Sequence, residues 1–160
     1  KFYVSQLIKK SKDLIKSRFD KLNIKVIENI DDIEILSYQN ELFQVILNLF
    51  SNSIDVLSSS QIENKIIYIK IYHDENNLYI EFLDNGGGIK DEFINRVFEP
   101  YFTTKHKSQG TGIGLYMSLQ IVTKHLNGEI SVKNDTFIEN NTAYFGAKFT
   151  ILLPIHLQNN

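Results

Sequence analysis

Asp84 is the side chain whose position most constrains its chemistry. It opens Asp84-Asn85-Gly86-Gly87-Gly88-Ile89 and follows the alternating run Leu78-Tyr79-Ile80-Glu81-Phe82-Leu83. Strand side chains repeat with period two, so Asp84 continues the apolar face of Leu78, Ile80 and Phe82. A carboxylate ending a core-facing row is costly unless something pairs with it. Three glycines then let the backbone take positive φ and let a ligand approach closely. The combination describes a pocket floor, with one fixed acceptor followed by a backbone stripped of side chains. Asp-Asn-Gly is also strong turn chemistry, so this stretch alone leaves a plain turn open.

A second constellation lies upstream. Glu41, Gln44, Asn48, Asn52 and Asp55 recur at three- and four-residue steps and form one narrow polar stripe on a helix. Asn is a mediocre helix former, because its side chain competes for backbone hydrogen bonds. Two of them one turn apart, Asn48 and Asn52, point to a stripe facing a wet cavity. A solvent-facing stripe would more often be Lys and Glu. A third constellation is Gly110-Thr111-Gly112-Ile113-Gly114-Leu115, running into a helix from Tyr116 to Leu126. Amides freed by glycine at a helix N-terminus suit phosphate. It is not a P-loop, since no Gly-Lys-Ser/Thr follows, and its spacing is not that of a dinucleotide fingerprint.

The elements needed to position these groups fit one domain over residues 1–160. A chain of 160 residues can bury a real core. Its hydrophobic content of 42% and charged content of 22% are those of an ordinary globular protein. A net charge of −2 gives no electrostatic case for nucleic acid or an anionic membrane. No apolar run reaches the ~18 residues of a transmembrane span, and no signal-peptide pattern opens the chain. The absence of cysteine excludes a disulfide framework and a zinc-thiolate site, in keeping with a cytoplasmic domain. Opening on Lys1 suggests a piece of something longer.

In chain order, apolar spacing from Phe2 to Leu22 predicts an amphipathic helix. Ile24 to Ile27 and Ile33 to Leu36, separated by Asn29-Ile30-Asp31-Asp32, suggest a hairpin. The longest helical pattern runs from Tyr38 to Leu57. Lys65 to Tyr72 and Leu78 to Asp84 make an antiparallel hairpin, with Ile67, Ile69 and Ile71 on the core face. Lys90 to Gly110 lacks an apolar period and lies between glycines, as a lid would. Asn127-Gly128 is a helix-ending signal. Glu129 to Asn134 and Ala143 to Leu153 close the chain as strands around a loop from Asp135 to Thr142.

Set in order, these pieces resemble the four boxes of the histidine kinase ATP-binding domain of the GHKL superfamily. Gln44 to Asp55 resembles the N box and Asp84 to Ile89 the first glycine box. Phe98-Glu99-Pro100-Tyr101-Phe102-Thr103-Thr104-Lys105 resembles the F box, and Gly110 to Leu115 the second glycine box. His125 to Ile130 and Phe149 to Pro154 resemble the closing pattern. Ser53 stands where the N box usually has Ala, and the glycine repeat before the lid is denser than usual.

The resemblance implies an α+β fold, a two-layer sandwich whose mixed, mostly antiparallel sheet is covered on one face by three helices. It implies ATP and Mg²⁺ as ligands. By the family's pattern Asp84 accepts from the adenine amino group and Asn52 offers its amide oxygen to Mg²⁺. Asn48 supports the phosphate cluster, and Lys105 neutralises developing charge. The remaining nucleotide contacts fall on Asp55, Gly86, Gly88, Ile89, Phe98, Phe102, Thr103, Thr104, Gly110, Thr111, Gly112, Gly114 and Leu115.

The implied activity is phosphoryl transfer to a histidine in a two-component phosphorelay. His73, His106, His125 and His156 all lack a His-acidic helical pattern, so the acceptor belongs to a separate dimerisation domain. The implied partners are that domain and a response regulator, with no nucleic acid. This piece is expected to be monomeric and the full-length protein homodimeric, with membrane anchoring left open. The rivals are a GHKL-type ATPase and an anti-sigma-type serine kinase. Related ATPases place a Glu one turn before the metal-binding Asn, where this chain has Asn48. Glu41 lies about three turns before Asn52, too far for that task.

Overall fold

The computed structural model describes residues 1–103 and 112–156. A short strand β1 (Phe2–Tyr3) leads into α1 (Val4–Leu14) and α2 (Lys16–Leu22). Strands β2 (Lys25–Ile30) and β3 (Glu34–Ile35) precede the long helix α3 (Gln39–Ser58). The hairpin β4 (Ile66–His73) and β5 (Asn77–Asp84) follows, then a single turn α4 (Asp91–Ile94). Helix α5 (Gly114–Gln120) continues as a π-helical turn over Ile121–His125, and β6 (Glu129–Glu139) and β7 (Thr142–Pro154) end the fold.

The main sheet has the order β2-β4-β5-β7-β6. Among its described pairings only β2–β4 is parallel, so the sheet is mixed and mostly antiparallel, as expected. The α3 helix buries Leu42, Val45, Ile46, Leu49, Phe50, Ile54 and Leu57. That spacing is one helical stripe. It packs on Ile67, Ile69, Ile71, Leu78, Ile80 and Phe82 of the sheet. Phe50 sits between the edges of Phe19 and Phe82, with ring centroids at 5.5 and 5.0 Å. The β4–β5 register places Ile67 opposite Asp84, which confirms that Asp84 ends the apolar row.

Three local expectations are corrected. Residues 23–36 are not a hairpin: β2 runs parallel to β4 from Lys25↔Ile66 to Ile30↔Ile71. Strand β3 instead pairs with β1, through Phe2↔Ile35 and Tyr3↔Glu34. The expected turn is pulled apart, because the Asp31 N–H extends the β2–β4 ladder to Ile71 O at 2.8 Å. Asp32 faces the other way and accepts from Ser5 Oγ at 2.7 Å.

The first helix is likewise not continuous over Phe2 to Leu22. Phe2 and Tyr3 are extended to serve β3, and the helix breaks at Ile15 (φ −114°, ψ 17°). Buried Ser11 donates to Leu7 O at 2.7 Å one turn before the break. Such a back-bond bends helices. Finally, residues 135–142 are mostly strand. Only Asn140 and Asn141 turn, both with positive φ (50° and 60°), as a tight hairpin requires.

Candidate functional site

The elements converge on a cleft of about 250 Å³. Helix α3 supplies Asn48, Ser51, Asn52, Asp55 and Val56 on one wall, while Asp84, Ala147 and Phe149 form the floor. Gly88 and Ile89 follow from the first glycine loop, and Phe93, Val97, Phe102 and Thr103 from the segment around α4. Gly112, Gly114 and Leu115 close the cleft at the start of α5. The walls are thus mostly apolar with a few convergent polar groups, the usual character of a small-molecule site.

Asp84 is 1% exposed. Its Oδ1 accepts from the Gly86 N–H at 2.9 Å, while buried Oδ2 has no hydrogen-bonding partner among the described residues. Burial pushes its carboxyl up to about 6, against backbone N–H groups of Gly86 and Ala147 that pull it down. An orphaned buried acceptor calls for a donor supplied from outside the chain.

The glycine loop around it is fastened by two asparagines. Asn134 of β6 accepts from the Ile89 N–H at 2.8 Å and donates to Ile89 O at 2.7 Å. Asn85 accepts from the Ile66 N–H at 2.8 Å and donates to Asn64 O at 2.5 Å. Gly88 has φ +81°, and a Cβ there would meet the Asn134 side chain at 2.6 Å.

On α3 the polar stripe divides. Asn48, Asn52 and Asp55 face the cleft, but Glu41 lies 3.2 Å from His125 and Gln44 is exposed. Asn48 Nδ2 donates to Ser118 Oγ at 3.2 Å and Gly114 O at 3.4 Å, so its amide ties α3 to the first turn of α5. Phe98 and Gly86 do not line the cleft. Phe98 packs edge-on against Phe149 at 6.2 Å, and Gly86 lies against Val56, where a Cβ would collide. Phe102 packs on Phe93 at 5.6 Å and carries the Arg96 guanidinium 4.5 Å above its ring. Tyr101 N–H donates to Gly112 O at 2.9 Å, joining the two flanks of residues 104–111. Gly112 has φ +72°, and a Cβ there would sit 2.6 Å from Phe102 O. Thr104, Lys105, Gly110 and Thr111 lie outside the described residues, as do His106 and the middle of the expected lid.

Residues 37–157 match the family described as histidine kinase-, DNA gyrase B- and HSP90-like ATPases. The chain belongs to that family. Within it, the chain is of the histidine kinase catalytic, ATP-binding type. It is 32% identical over 155 residues to sporulation kinase E of Bacillus subtilis (strain 168), covering 96% of this chain and 19% of that kinase. The solved catalytic domain of histidine kinase ThkA superposes with a TM-score of 0.77 at 25% identity, over 97% of this chain and 94% of that one. The complex of ThkA with the response regulator protein TrrA has a TM-score of 0.74 at 22% identity, over 96% and 41%. The chain therefore spans about a fifth of the sporulation kinase.

Several residues that support this histidine kinase-type cleft from outside its lining were not singled out in the sequence. Gly146 lies against the backbone of Asp84, and a Cβ there would collide with the Asp84 carbonyl oxygen. A lone glycine inside a strand signals such a close approach. Asn134 and Asn85 carry no comparable signal, and neither does Arg18, which reaches α3 from α2.

Proposed function

We propose that this chain binds ATP with Mg²⁺ and transfers the γ-phosphoryl group to a histidine on a separate dimerisation domain, feeding a two-component phosphorelay. The observation that carries this reading is the unpartnered Oδ2 of Asp84, buried at the cleft floor. The adenine amino group is a donor of the right kind for it. The apolar walls from Val56, Ile89, Phe93 and Leu115 suit a flat heterocycle. The phosphates extend toward Asn48, Asn52 and the amides beginning α5, where positioning and electrostatics are most of what phosphoryl transfer demands.

The donor set fits magnesium. No group of three His, Asp or Glu side chains able to hold a metal occurs among the described residues. Mg²⁺ commonly takes one or two protein oxygens and completes its shell with phosphate oxygens and water. Asn52 offers one neutral oxygen from the wall of the cleft. When bound, the ion neutralises charge on the phosphates during transfer. Asn48 supports the same region by holding α3 against Gly114 and Ser118. The ThkA complex with a response regulator is a precedent for the downstream partner.

Asn48 also separates this reading from a water-activating ATPase, because an amide cannot accept a proton from water. Mixing the chain with ATP, Mg²⁺ and a histidine-containing dimerisation domain should form acid-labile phosphohistidine, with ADP release dependent on that domain. Equal ADP release without the acceptor would make it an ATPase instead. Asn52→Ala is expected to remove most of the magnesium enhancement of ATP binding, whereas Asn48→Ala is milder. Titrating ATP with and without Mg²⁺ checks this, and full magnesium enhancement in Asn52→Ala would refute the assignment.

A further inference from the structure

We infer that Asn134 is a positioning residue of the nucleotide site, whose side-chain amide holds the first glycine loop in its binding shape; this rests on the ATP reading above. Gly87 and Gly88 have positive φ (+90° and +81°) and no side chain to pack. Glycines lose more backbone freedom on ordering than any other residue, so the loop keeps one shape only if bonds from outside hold it. The β6–β7 hairpin supplies them. Phe145 O accepts from the Gly87 N–H at 3.2 Å. Asn134 Oδ1 accepts from the Ile89 N–H at 2.8 Å, and its Nδ2 donates to Ile89 O at 2.7 Å.

The chemistry of the side chain matters here. An amide carries an acceptor and a donor on one plane. Asn134 thereby answers both backbone groups of a single residue, as a neighbouring strand would. An ionised carboxylate of the same shape can accept from the Ile89 N–H, but it would face Ile89 O with nothing to donate. The approach leaves no slack, since a Cβ on Gly88 would lie 2.6 Å from Asn134 Oδ1.

The held loop governs two features of the cleft. Ile89 is part of its lining and packs against the core. At the start of the loop the Gly86 N–H donates to Asp84 Oδ1 at 2.9 Å, which orients the carboxyl whose Oδ2 is buried without a partner among the described residues. Asn134 does not line the cleft, so it acts through the loop. Its own backbone is fixed opposite Ala147, a residue of the cleft floor.

The test compares the wild-type chain with Asn134→Ala and Asn134→Asp by calorimetry at neutral pH, well below the unfolding temperature, with adenosine and ATP with Mg²⁺ as probes. Asn134→Ala is expected to weaken both probes roughly tenfold, by the same factor within twofold, because they share the base. Asn134→Asp keeps the shape and the bond from the Ile89 N–H, and is expected to lose about threefold or more. Binding stoichiometry is expected to stay unchanged in both variants. A residue that served stability alone would lower the competent fraction and leave the affinity of the folded chain as it was. Affinities within twofold of wild type in Asn134→Ala, a fall in stoichiometry with affinity kept, a loss confined to ATP, or wild-type affinity in Asn134→Asp would each overturn the inference. A wild-type chain that bound neither probe would overturn the ATP reading and this inference with it.

Discussion

Asp84→Asn will abolish measurable ATP binding and leave the fold intact. The substitution keeps size and shape, and the amide oxygen can still accept from the Gly86 N–H. It then places an NH₂ donor where Oδ2 was, facing the adenine amino group donor with donor. The loss combines a missing charge-assisted hydrogen bond with a buried group left unpaired, on the order of 2–4 kcal/mol. Calorimetry with ATP and Mg²⁺ checks it, and an affinity within twofold of wild type would refute the adenine assignment.

The same residue predicts two pH effects. Its folded-state carboxyl is raised to about 6 by burial. Between about pH 4 and 6 the folded chain therefore holds a proton that the unfolded chain has lost. Stability from this group is highest at low pH and falls as pH rises through that window, then stays level. The fall is on the order of 3 kcal/mol. Asp84→Asn should lack this slope, as urea unfolding would show. At pH 8 it should be no less stable than wild type to within about 1 kcal/mol. Adenosine affinity should move oppositely, rising as pH climbs through about 6 because the ionised carboxylate is the better acceptor. The Asn variant should show no such step.

Gly146→Ala is the other large effect, and it is structural. A Cβ at Gly146 runs into the Asp84 carbonyl, which is backbone and cannot rotate away. Strands β5 and β7 must separate at the point where they hold the cleft floor. Destabilisation of roughly 2–4 kcal/mol is expected, in the upper range for overpacking, with loss of ATP binding. Gly87→Ala makes a useful comparison. Its Cβ meets nothing within 4 Å, but φ is +90°. The expected penalty is backbone strain of about 1–2 kcal/mol. Gly114→Ala has open space at a helix start and should leave stability unchanged or improved. If Gly146→Ala unfolded in urea like Gly114→Ala, the packing argument for the cleft floor would be wrong.

The sites legible in the sequence were those fixed by local periodicity. Alternation from Leu78 to Phe82 placed Asp84 on the core face, and the register opposite Ile67 agrees. The three-and-four spacing of Asn48, Asn52 and Asp55 put them on one wall. What escaped was set by partners distant in sequence. Strand β2 carries a short apolar run beside a turn-like stretch, yet its partner β4 lies beyond the whole of α3. Residues Asp135 and Thr136 look like loop because they are polar, but they pair across to Gly146 and Phe145. There Lys148 meets Asp135 at 2.8 Å. Gly146 and Asn134 belong to the same class, since each matters through a contact with a different element.

Whether the orphaned oxygen of Asp84 reads adenine is decided by a crystal structure of the chain with Mg²⁺ and a non-hydrolysable ATP analogue. The expected result is the adenine amino nitrogen within hydrogen-bonding distance of Asp84 Oδ2, at about 2.7–3.2 Å, with the phosphates directed toward Asn52 and the start of α5. An analogue bound with its base elsewhere, and Asp84 still without a donor, would contradict it.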